Sequence, residues 1–301
     1  MIYEHPLAYL LGLEGIALLR SFTGQFDHGF VDSRIAEIRR LLDDEVLANA
    51  AVEVSRVDTA EGYRIWSDTY DGPNGLFDID EPVVGQIIDA LPVGVALDAA
   101  CGTGRVAASL AERGHQLLGV DSSPDMLARA RVRVPQGDFL LGDLHRLPVP
   151  DNAVDLVVCS LALTHIPSLQ PSMAEFARVL RPGGHLVISD MHPEGVMRGF
   201  VPPVRRADGQ PGRIATYRHS IGDYMRAALS VGLQVRRCEE PRLPKAENPQ
   251  PTEVPSTSEA IKAWDVWPWC LTGLVPEAAR AANDDVPTMI IWHFQLTPAG
   301  C

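Results

Sequence analysis

The chain has 301 residues, of which 26 are Lys or Arg and 39 are Asp or Glu, giving a formal net charge of −13. Because nucleic-acid binding depends on clusters of basic residues, this balance argues against a DNA or RNA partner. No apolar run approaches the about 18 residues that cross a bilayer, and the start lacks the features of a signal peptide. We therefore expect a cytoplasmic protein without a membrane partner.

The N-terminal region, residues 1–78, is predicted to form a helical cap. Residues 7–21 are apolar with few charges, and residues 32–49 place apolar side chains at helical spacing. We expect such helices to lie over a ligand crevice or to form a dimer contact, so the protein is expected to be a monomer or a homodimer.

The most informative segment is 95–105, where a short apolar run ends on a glycine-rich turn. Gly102 and Gly104 permit positive φ angles and a close approach of a ligand to the backbone. The helix that follows points its unpaired N–H groups at the turn, as in nucleotide-binding sites. The run 102–107 also matches the dinucleotide fingerprint G-x-G-x-x-G/A, with Asp121 about 20 residues further on.

Asp98 favours S-adenosylmethionine over NAD at this turn. Its carboxylate precedes Gly102 by four positions, where it would repel a pyrophosphate and attract a ligand that carries ammonium and sulfonium groups. An NAD-dependent oxidoreductase and a non-catalytic nucleoside-binding protein stay as alternatives.

The central part of the chain alternates strand and helix patterns, which predicts an α/β fold with a doubly wound, mostly parallel seven-stranded sheet. Ligands bind beyond the carboxyl ends of such strands. Polar residues at these ends are Asp98, Asp121, Asp143, Ser160 and Asp190. The predicted strands are 93–99, 115–120, 138–141, 154–160, 185–190, 234–239 and 289–296, and the predicted helices are 106–113, 123–131, 172–180 and 220–231, with a turn at 182–184.

The sequence is predicted to divide into four regions, the first of which is the N-terminal helical cap at residues 1–78. Residues 79–240 are the predicted S-adenosylmethionine-binding core, residues 241–286 are an insertion on the substrate side, and residues 287–301 are the final strand of the core. Within the insertion we predict a loop and then a helix at 256–264. Three tryptophans there either fix the insertion to the core or line an apolar acceptor pocket; they are Trp264, Trp267 and Trp269.

Four motifs in order, within 97–105, 119–130, 141–160 and 175–190, resemble the class I S-adenosylmethionine-dependent methyltransferases. Within that family the chain is most similar to the ubiquinone/menaquinone-biosynthesis-like group, methyltransferase type 11. The resemblance implies a Rossmann-like fold, S-adenosylmethionine as cofactor and a small-molecule methyl acceptor. One departure is Ala99-Ala100, where the family more often has a larger residue followed by glycine.

The resemblance also implies roles for individual residues. Asp121 is expected to accept hydrogen bonds from both ribose hydroxyls, with a helix N-cap as the alternative role. Asp143 is expected to accept from the adenine amino group beside the Leu144 N–H, or else to cap a surface turn. Asp98 is expected to hold the methionine ammonium. The other predicted cofactor contacts are Tyr70, Ala100, Gly102, Gly104, Ser122, Met126, Gly142, Ser160 and Leu161.

Methyl transfer to oxygen or carbon needs a base whose pKa is near neutrality, and histidine is the side chain that meets this requirement. The candidates are His192, His165 and His219, with His192 preferred; each is alternatively a hydrogen-bonded structural histidine. No pair of histidines or acids has metal-ligand spacing, so no metal is expected. The prediction is methyl transfer to an oxygen or carbon, less readily a nitrogen, of a small organic molecule of secondary metabolism.

Overall fold

The structure is a computed structural model that describes residues 1–67, 70–72, 74–206, 208–242 and 269–298. The described residues form two compact units, each assembled from three stretches of the chain. The first unit spans Met1–Val57, Pro202–Arg213 and Pro244–Val286, and the second unit spans Asp58–Val201, Ile214–Leu243 and Pro287–Cys301.

The described residues contain eleven strands and eleven α-helices. The strands are β1 (Ile2–Glu4), β2 (Val52–Val57), β3 (Val95–Ala99), β4 (Gln116–Asp121), β5 (Asp138–Leu141), β6 (Val154–Ser160), β7 (Leu180–Met191), β8 (Pro203–Arg205), β9 (Pro211–Ile214), β10 (Leu233–Glu239) and β11 (Met289–Leu296). The helices are α1 (Pro6–Ser21), α2 (His28–Leu42), α3 (Glu45–Ala48), α4 (Thr59–Trp66), α5 (Gly75–Asp89), α6 (Arg105–Glu112), α7 (Pro124–Arg133), α8 (Gln170–Val179), α9 (Pro193–Met197), α10 (Ile221–Leu229) and α11 (Pro276–Asn283). Two 3₁₀ turns lie at Leu163–His165 and Trp269–Leu274.

The second unit is built around a seven-stranded sheet of order β10-β11-β7-β6-β3-β4-β5. The neighbours from β7 to β5 run parallel, whereas β11 lies antiparallel between β7 and β10. The chain moves outward from β3 to β5 and returns to β6 on the other side of β3, so the strand order reverses between β3 and β6. Ligands bind at such a switch point. The predicted doubly wound, mostly parallel seven-stranded sheet is confirmed.

Apolar side chains from the helices of the second unit form two clusters with those of the sheet. One cluster joins α5, α6 and α7 to inner strands through side chains such as Ile88, Leu110 and Leu127. The other joins α8 and α10 to the sheet through Phe176 and Tyr224. Because helix burial of this kind supplies most of the stability of an α/β sheet, the polar groups at the strand ends stand on a rigid base.

The predicted turn at 182–184 lies near the start of β7. Val154 pairs with Leu180 and Leu156 pairs with His185, so four residues bulge out opposite one residue of β6. Gly183 has a φ of +85° within this bulge, a conformation that proline-glycine sequences allow.

The first unit holds a four-stranded sheet of order β1-β2-β9-β8, with α1, α2, α3 and α11. Helix α1 corresponds to the predicted helix at 7–21, whereas the single helix predicted at 32–49 is divided into α2 and α3. The pattern did not predict the short strands β1, β2, β8 and β9. Arg34 is buried on α2, where it pairs with Glu14 at 3.3 Å and with Glu277 at 2.7 Å. The helix α4, which was assigned by sequence to the N-terminal cap, belongs to the second unit.

The boundaries of the four predicted regions stay predictions. The predicted helix at 256–264 lies outside the described residues, as do Trp264, Trp267 and the side chain of Trp269.

Candidate functional site

The glycine turn after β3 has the left-handed backbone conformation that its sequence predicts. The φ angle is +52° at Gly102 and +83° at Gly104. A Cβ added at Gly104 would lie 3.1 Å from the Cα of Ala130, so only glycine fits there without a shift of α7. Ala100 has a φ of +62° in the same turn, a conformation that glycine adopts at lower cost.

Asp98 lies near the end of β3 and is 1% exposed. Its Oδ2 atom is buried and has no hydrogen-bond partner in the part of the chain that the structure describes. Burial raises the pKa of this carboxyl to about 7, although the charge of Arg105 and the Ala107 N–H oppose the shift. A buried carboxylate oxygen without a donor is suited to a cationic ligand group, which would also restore the ionised form.

Asp121 ends β4 and ties that strand to the glycine turn. Its Oδ2 atom accepts the Gly102 N–H at 2.8 Å, and its Oδ1 atom accepts the Ser123 N–H at 2.8 Å. Burial raises its pKa, while these N–H groups and that of Ser122 lower it. Met126 lies on the helix that follows and is fully buried. Each Asp121 oxygen keeps further acceptor capacity.

Asp143 follows β5 and closes its own turn. Its Oδ1 atom accepts the backbone N–H of His145 at 2.7 Å and contacts the Nδ1 atom of the same residue at 2.6 Å. Gly142 is required before it, because a Cβ there would lie 2.6 Å from the Cδ of Pro148. The Leu144 side chain packs against the core of the sheet. The adenine contact of Asp143 and Leu144 stays a prediction.

The Tyr70 ring lies beside the glycine turn and contacts aromatic rings from α4 and α5. The ring of Tyr70 reaches to 3.9 Å from the place of a Cβ at Gly102. Its centroid lies 5.8 Å from that of Tyr63 and 5.6 Å from that of Phe77. Burial raises the pKa of Tyr70 to about 12, so its hydroxyl is a neutral donor at physiological pH. Helical spacing places Tyr63 and Trp66 on neighbouring positions of α4, a signal that could have pointed to Tyr63.

The residue after Tyr70 fastens this segment to the glycine turn. Asp71 accepts a hydrogen bond from the Thr103 hydroxyl at 2.7 Å and pairs with the Arg133 guanidinium at 2.7 Å. Arg133 also donates to the Thr103 hydroxyl at 3.0 Å. Asp71 therefore contacts both the glycine turn and α7, and these contacts hold the neighbouring Tyr70 beside the turn.

A buried polar network that the sequence did not predict joins α5 and α6 to the ends of β6 and β7. Arg105 pairs with Asp80 at 3.1 Å, and its guanidinium lies 4.2 Å from the centre of the Phe77 ring. Asp80 accepts a hydrogen bond from Ser189 at 2.9 Å, and Ser189 also contacts the Ser160 hydroxyl at 2.9 Å. The only sequence signal for Asp80 is an acid placed among the buried positions of an amphipathic helix.

His165 lies on the 3₁₀ turn after β6 and is 7% exposed. Its Nδ1–H donates to the carbonyl of Ala215 at 2.9 Å, which leaves the lone pair on Nε2. Burial lowers its pKa, so the ring is neutral at pH 7. The ring makes an edge contact with Tyr63 at 5.5 Å, and the Tyr63 hydroxyl donates to the Leu161 carbonyl at 3.3 Å. Two aromatic rings thus connect His165 to the glycine turn.

The other two candidate histidines use their nitrogens differently. Nδ1 of His192 accepts the Glu194 N–H at the start of α9, and its Nε2 donates to Glu240 at 2.9 Å. Both ring nitrogens of His192 are therefore engaged. His219 is buried, and its Nε2 lies 3.0 Å from the Leu163 carbonyl and 2.9 Å from the Ile166 carbonyl. It contacts the turn that carries His165.

The described residues form neither a cluster that could hold a metal ion nor a membrane-spanning helix. No group of three or more His, Cys, Asp or Glu side chains among them is arranged to hold a metal ion. None of their helices combines the length and the apolar character needed to cross a membrane.

Known proteins match the central part of the chain. The sequence family described as a methyltransferase domain matches residues 97–188. A malonyl-[acyl-carrier protein] O-methyltransferase of Serratia marcescens is 33% identical over 146 residues, 48% of this chain and 57% of that protein. A demethylmenaquinone methyltransferase of Renibacterium salmoninarum is 31% identical over 150 residues, 46% of this chain and 63% of that protein. The chain therefore covers less than two thirds of the length of either relative.

The fold is also found in solved structures. A crystal structure of an S-adenosylmethionine dependent methyltransferase from Mesorhizobium loti has a TM-score of 0.50 and 23% sequence identity, and it covers 73% of this chain and 100% of that chain. The strand order, the glycine turn and the matched motifs agree with one another. Residues 97–188 thus match a methyltransferase domain, and S-adenosylmethionine is the cofactor that this match and the shared fold indicate.

Proposed function

We propose that the protein transfers a methyl group from S-adenosylmethionine to an oxygen or carbon of a small organic molecule, with His165 as the base. The observation that carries this proposal is the presence of two buried groups with free acceptor capacity, one at the end of β3 and one after β6. The Oδ2 atom of Asp98 lacks a donor, and the Nε2 atom of His165 holds an unshared lone pair.

The residues beside the glycine turn fit the cofactor. The unpartnered oxygen of Asp98 suits its ammonium, and the glycines at 102 and 104, with their positive φ angles, let a ligand approach the backbone of the turn closely. Asp121 would accept from the ribose hydroxyls, and the Tyr70 ring would cover the methionine part. When bound, S-adenosylmethionine supplies a methyl carbon activated by a sulfonium.

His165 is the base that the geometry supports best among the three predicted histidines. A base must be neutral and must present a lone pair within reach of the acceptor proton. His165 meets both conditions, because burial lowers its pKa and its Nδ1–H is held by Ala215. His192 has both nitrogens engaged, Nδ1 by the Glu194 N–H and Nε2 by the Glu240 carboxylate. In this proposal Nε2 of His165 takes the proton of the acceptor.

A neutral base also narrows the acceptor class. A carboxylate is already ionised at neutral pH and gains nothing from a base, whereas a phenol or enol must lose a proton to become a good nucleophile. We therefore favour an acceptor with a phenolic or enolic hydroxyl, methylated on that oxygen or on the adjacent carbon. The demethylmenaquinone methyltransferase supports this class more than the malonyl-[acyl-carrier protein] O-methyltransferase does.

The setting of the reaction is part of the proposal. The net charge of −13 supports a small molecule rather than a nucleic acid as substrate. We propose that the protein works in the cytoplasm as a monomer or homodimer. An uncharged aromatic acceptor is compatible with the negative net charge, because that charge does not repel it.

Calorimetry and a transfer assay test the proposal. Titration with S-adenosylhomocysteine and, separately, with NADH should give binding of the first only. A panel of phenols, enols and carboxylates is then incubated with methyl-labelled S-adenosylmethionine, and label should move to the hydroxyl-bearing acceptors. His165→Asn keeps a side-chain N–H for Ala215 but removes the base, and should lower kcat by about 10²- to 10⁴-fold with the cofactor Kd unchanged.

The matched control is His185→Asn, since His185 lies on β7 and contacts His293 rather than any residue of the site. Full activity of His165→Asn on a phenolic acceptor would remove the assignment of the base. Binding of NADH without binding of S-adenosylhomocysteine would contradict the proposal that the protein transfers a methyl group from S-adenosylmethionine.

A further inference from the structure

The 3₁₀ turn that carries His165 is held by residues from two distant parts of the chain. The Thr164 N–H donates to Oδ2 of Asp190 at 2.7 Å, and the Thr164 carbonyl accepts the Tyr217 N–H at 2.7 Å. Asp190 is fully buried and also accepts from the Tyr224 hydroxyl at 3.3 Å. These contacts fix the middle of the turn, and they leave the carbonyls at its two ends to other donors.

His219 supplies a side-chain donor to both ends. Its Nε2 lies 3.0 Å from the Leu163 carbonyl and 2.9 Å from the Ile166 carbonyl, the residues that flank Thr164 and His165. Carbonyl oxygens only accept, so Nε2 must carry the proton and share it between them. One N–H therefore spans the backbone on both sides of the His165 side chain.

The position of His219 is itself fixed by the start of α10. Ser220, the next residue, is the N-cap of that helix and forms a capping box with Asp223. The Ser220 hydroxyl donates to Asp223 at 2.7 Å, and its backbone N–H donates to the same carboxylate at 2.8 Å. The His219 ring also meets Tyr224 edge-on, with centroids 6.1 Å apart. The start of α10 and the Tyr224 ring thus fix the position of the His219 ring beside the 3₁₀ turn.

We propose that His219 is a positioning residue that orients His165 by bridging the Leu163 and Ile166 carbonyls. The inference rests on the proposed function of His165 as the base. Without this N–H, the partly buried Ile166 carbonyl loses this donor and the buried Leu163 carbonyl keeps only the Ile166 N–H at 3.2 Å, so the turn must rearrange to find water or another partner. The Nε2 lone pair of His165 then leaves its line toward the acceptor, and a displacement of about 1 Å lowers a rate by about 10²-fold.

Two variants at position 219 separate hydrogen bonding from packing. His219→Phe keeps a flat ring and removes the donor, so kcat is expected to fall by about 10²-fold. His219→Gln supplies an amide NH₂ with two protons, one for each carbonyl, and is expected to restore kcat to within a few-fold of the wild type. His185→Phe is the control for replacing a partly buried histidine elsewhere in the same unit. The S-adenosylhomocysteine Kd, measured for each variant, reports whether the second unit is folded.

A readout other than activity comes from nitrogen chemical shifts of the His165 ring. In the wild type they should show a neutral ring protonated at Nδ1, with a pKa below the ordinary value. In His219→Phe the two tautomers should mix and the pKa should rise toward that of a solvated histidine, and His219→Gln should restore the wild-type spectrum. Unchanged His165 shifts together with unchanged kcat in His219→Phe would overturn the proposal.

Failure of the positioning role of His219 can be distinguished from failure of the base role of His165. If His165→Asn is inactive while His219→Phe has normal activity and normal His165 shifts, only the positioning role is wrong. If His165→Asn is fully active, the base assignment is wrong whatever His219→Phe does. If His219→Phe loses cofactor binding, the His165 shifts of His219→Gln decide, because a positioning donor restores the Nδ1 tautomer there.

Discussion

The switch point has two halves that carry different kinds of polar side chain: a cofactor half at the ends of β3 and β4, and an acceptor half after β6. At the ends of β3 and β4 the polar groups are carboxylates, Asp98 and Asp121, and their partners are backbone N–H groups, that of Ala107 on α6 for Asp98 and that of Gly102 in the turn for Asp121. After β6 the polar group is a neutral histidine, His165, and its partners lie about 50 residues further along the chain. Negative charge and backbone donors suit the binding of a cationic nucleoside, whereas a neutral base suits proton removal.

This difference predicts a clean separation of kinetic effects. Substitutions at the carboxylates of the first half should change the cofactor Kd, since binding energy is lost in the ground state and in the transition state alike. Substitutions around His165 should change kcat and leave the cofactor Kd as it was. A variant that moves both constants would show that the halves are coupled.

The largest expected effect on the cofactor half comes from Asp121→Ala. The change removes two charge-assisted hydrogen bonds to the ribose and releases the Gly102 N–H, so binding should weaken by roughly 2 to 4 kcal/mol. Calorimetry with S-adenosylhomocysteine measures this directly. Asp121→Asn keeps one acceptor oxygen and should lie between the alanine variant and the wild type, and an unchanged Kd in Asp121→Ala would refute the ribose role.

The conformation of the glycine turn was predictable because its interactions are local in sequence. Asp98, Gly102 and Gly104 lie within seven residues, so the conformation of one turn places them and the glycine pattern reports that conformation. The donor to Asp121 comes from the same turn. The doubly wound, mostly parallel sheet followed from the alternation of strands and helices.

The acceptor half was not predictable in the same way. His165, His192 and His219 have similar positions after strands or before a helix, and their sequences give no sign of which nitrogens are engaged. That depends on long-range contacts, such as the carbonyl of Ala215 for His165 and the carboxylate of Glu240 for His192. The preference for His192 therefore had no physical basis in the sequence, and its test is still the transfer assay.

Gly104→Ala should have the next largest effect, on stability. The new Cβ would lie 3.1 Å from the Cα of Ala130 and at a φ of +83°, so crowding adds to backbone strain and the cost should be about 2 to 4 kcal/mol. Gly183→Ala is the matched control, because its φ is +85° with no atom within 4 Å of the added Cβ. That variant should lose only about 1 to 2 kcal/mol. Urea unfolding of both variants measures the difference, and equal losses would mean that α7 yields to the added methyl group.

The pH dependence of cofactor binding should be smaller and should originate from Asp98. Burial raises the pKa of this acid to about 7 in the protein without ligand, and a bound ammonium lowers it again. Binding therefore releases a proton, and affinity should rise by up to about tenfold per pH unit below pH 7 and level off above it. The slope should vanish in Asp98→Asn, and a flat profile in the wild type would exclude the titration of Asp98.

The same shift has a consequence of opposite sign for folding. An acid whose pKa is raised in the folded state binds its proton more tightly there than in the unfolded chain, so stability falls as the pH rises from about 4 to about 7. Asp190, whose pKa burial also raises to about 7, contributes in the same direction. Added S-adenosylhomocysteine should remove the part of this fall that is due to Asp98 and leave the part due to Asp190, which thermal unfolding at pH 5 and pH 7 would show.

The smallest expected effect concerns Ala100, the position where the turn departs from its family. Its φ of +62° is unfavourable for alanine by about 1 to 2 kcal/mol, and glycine removes this strain but adds about 0.4 to 1 kcal/mol of unfolded-state entropy. Ala100→Gly should therefore stabilise the protein by up to about 1 kcal/mol. Ala99→Gly, one residue earlier in β3, should instead destabilise it by about 0.5 to 1 kcal/mol. If both variants lose stability in urea, the alanine at position 100 is held by contacts that outweigh its strain, and the departure from the family then has a structural role in the turn.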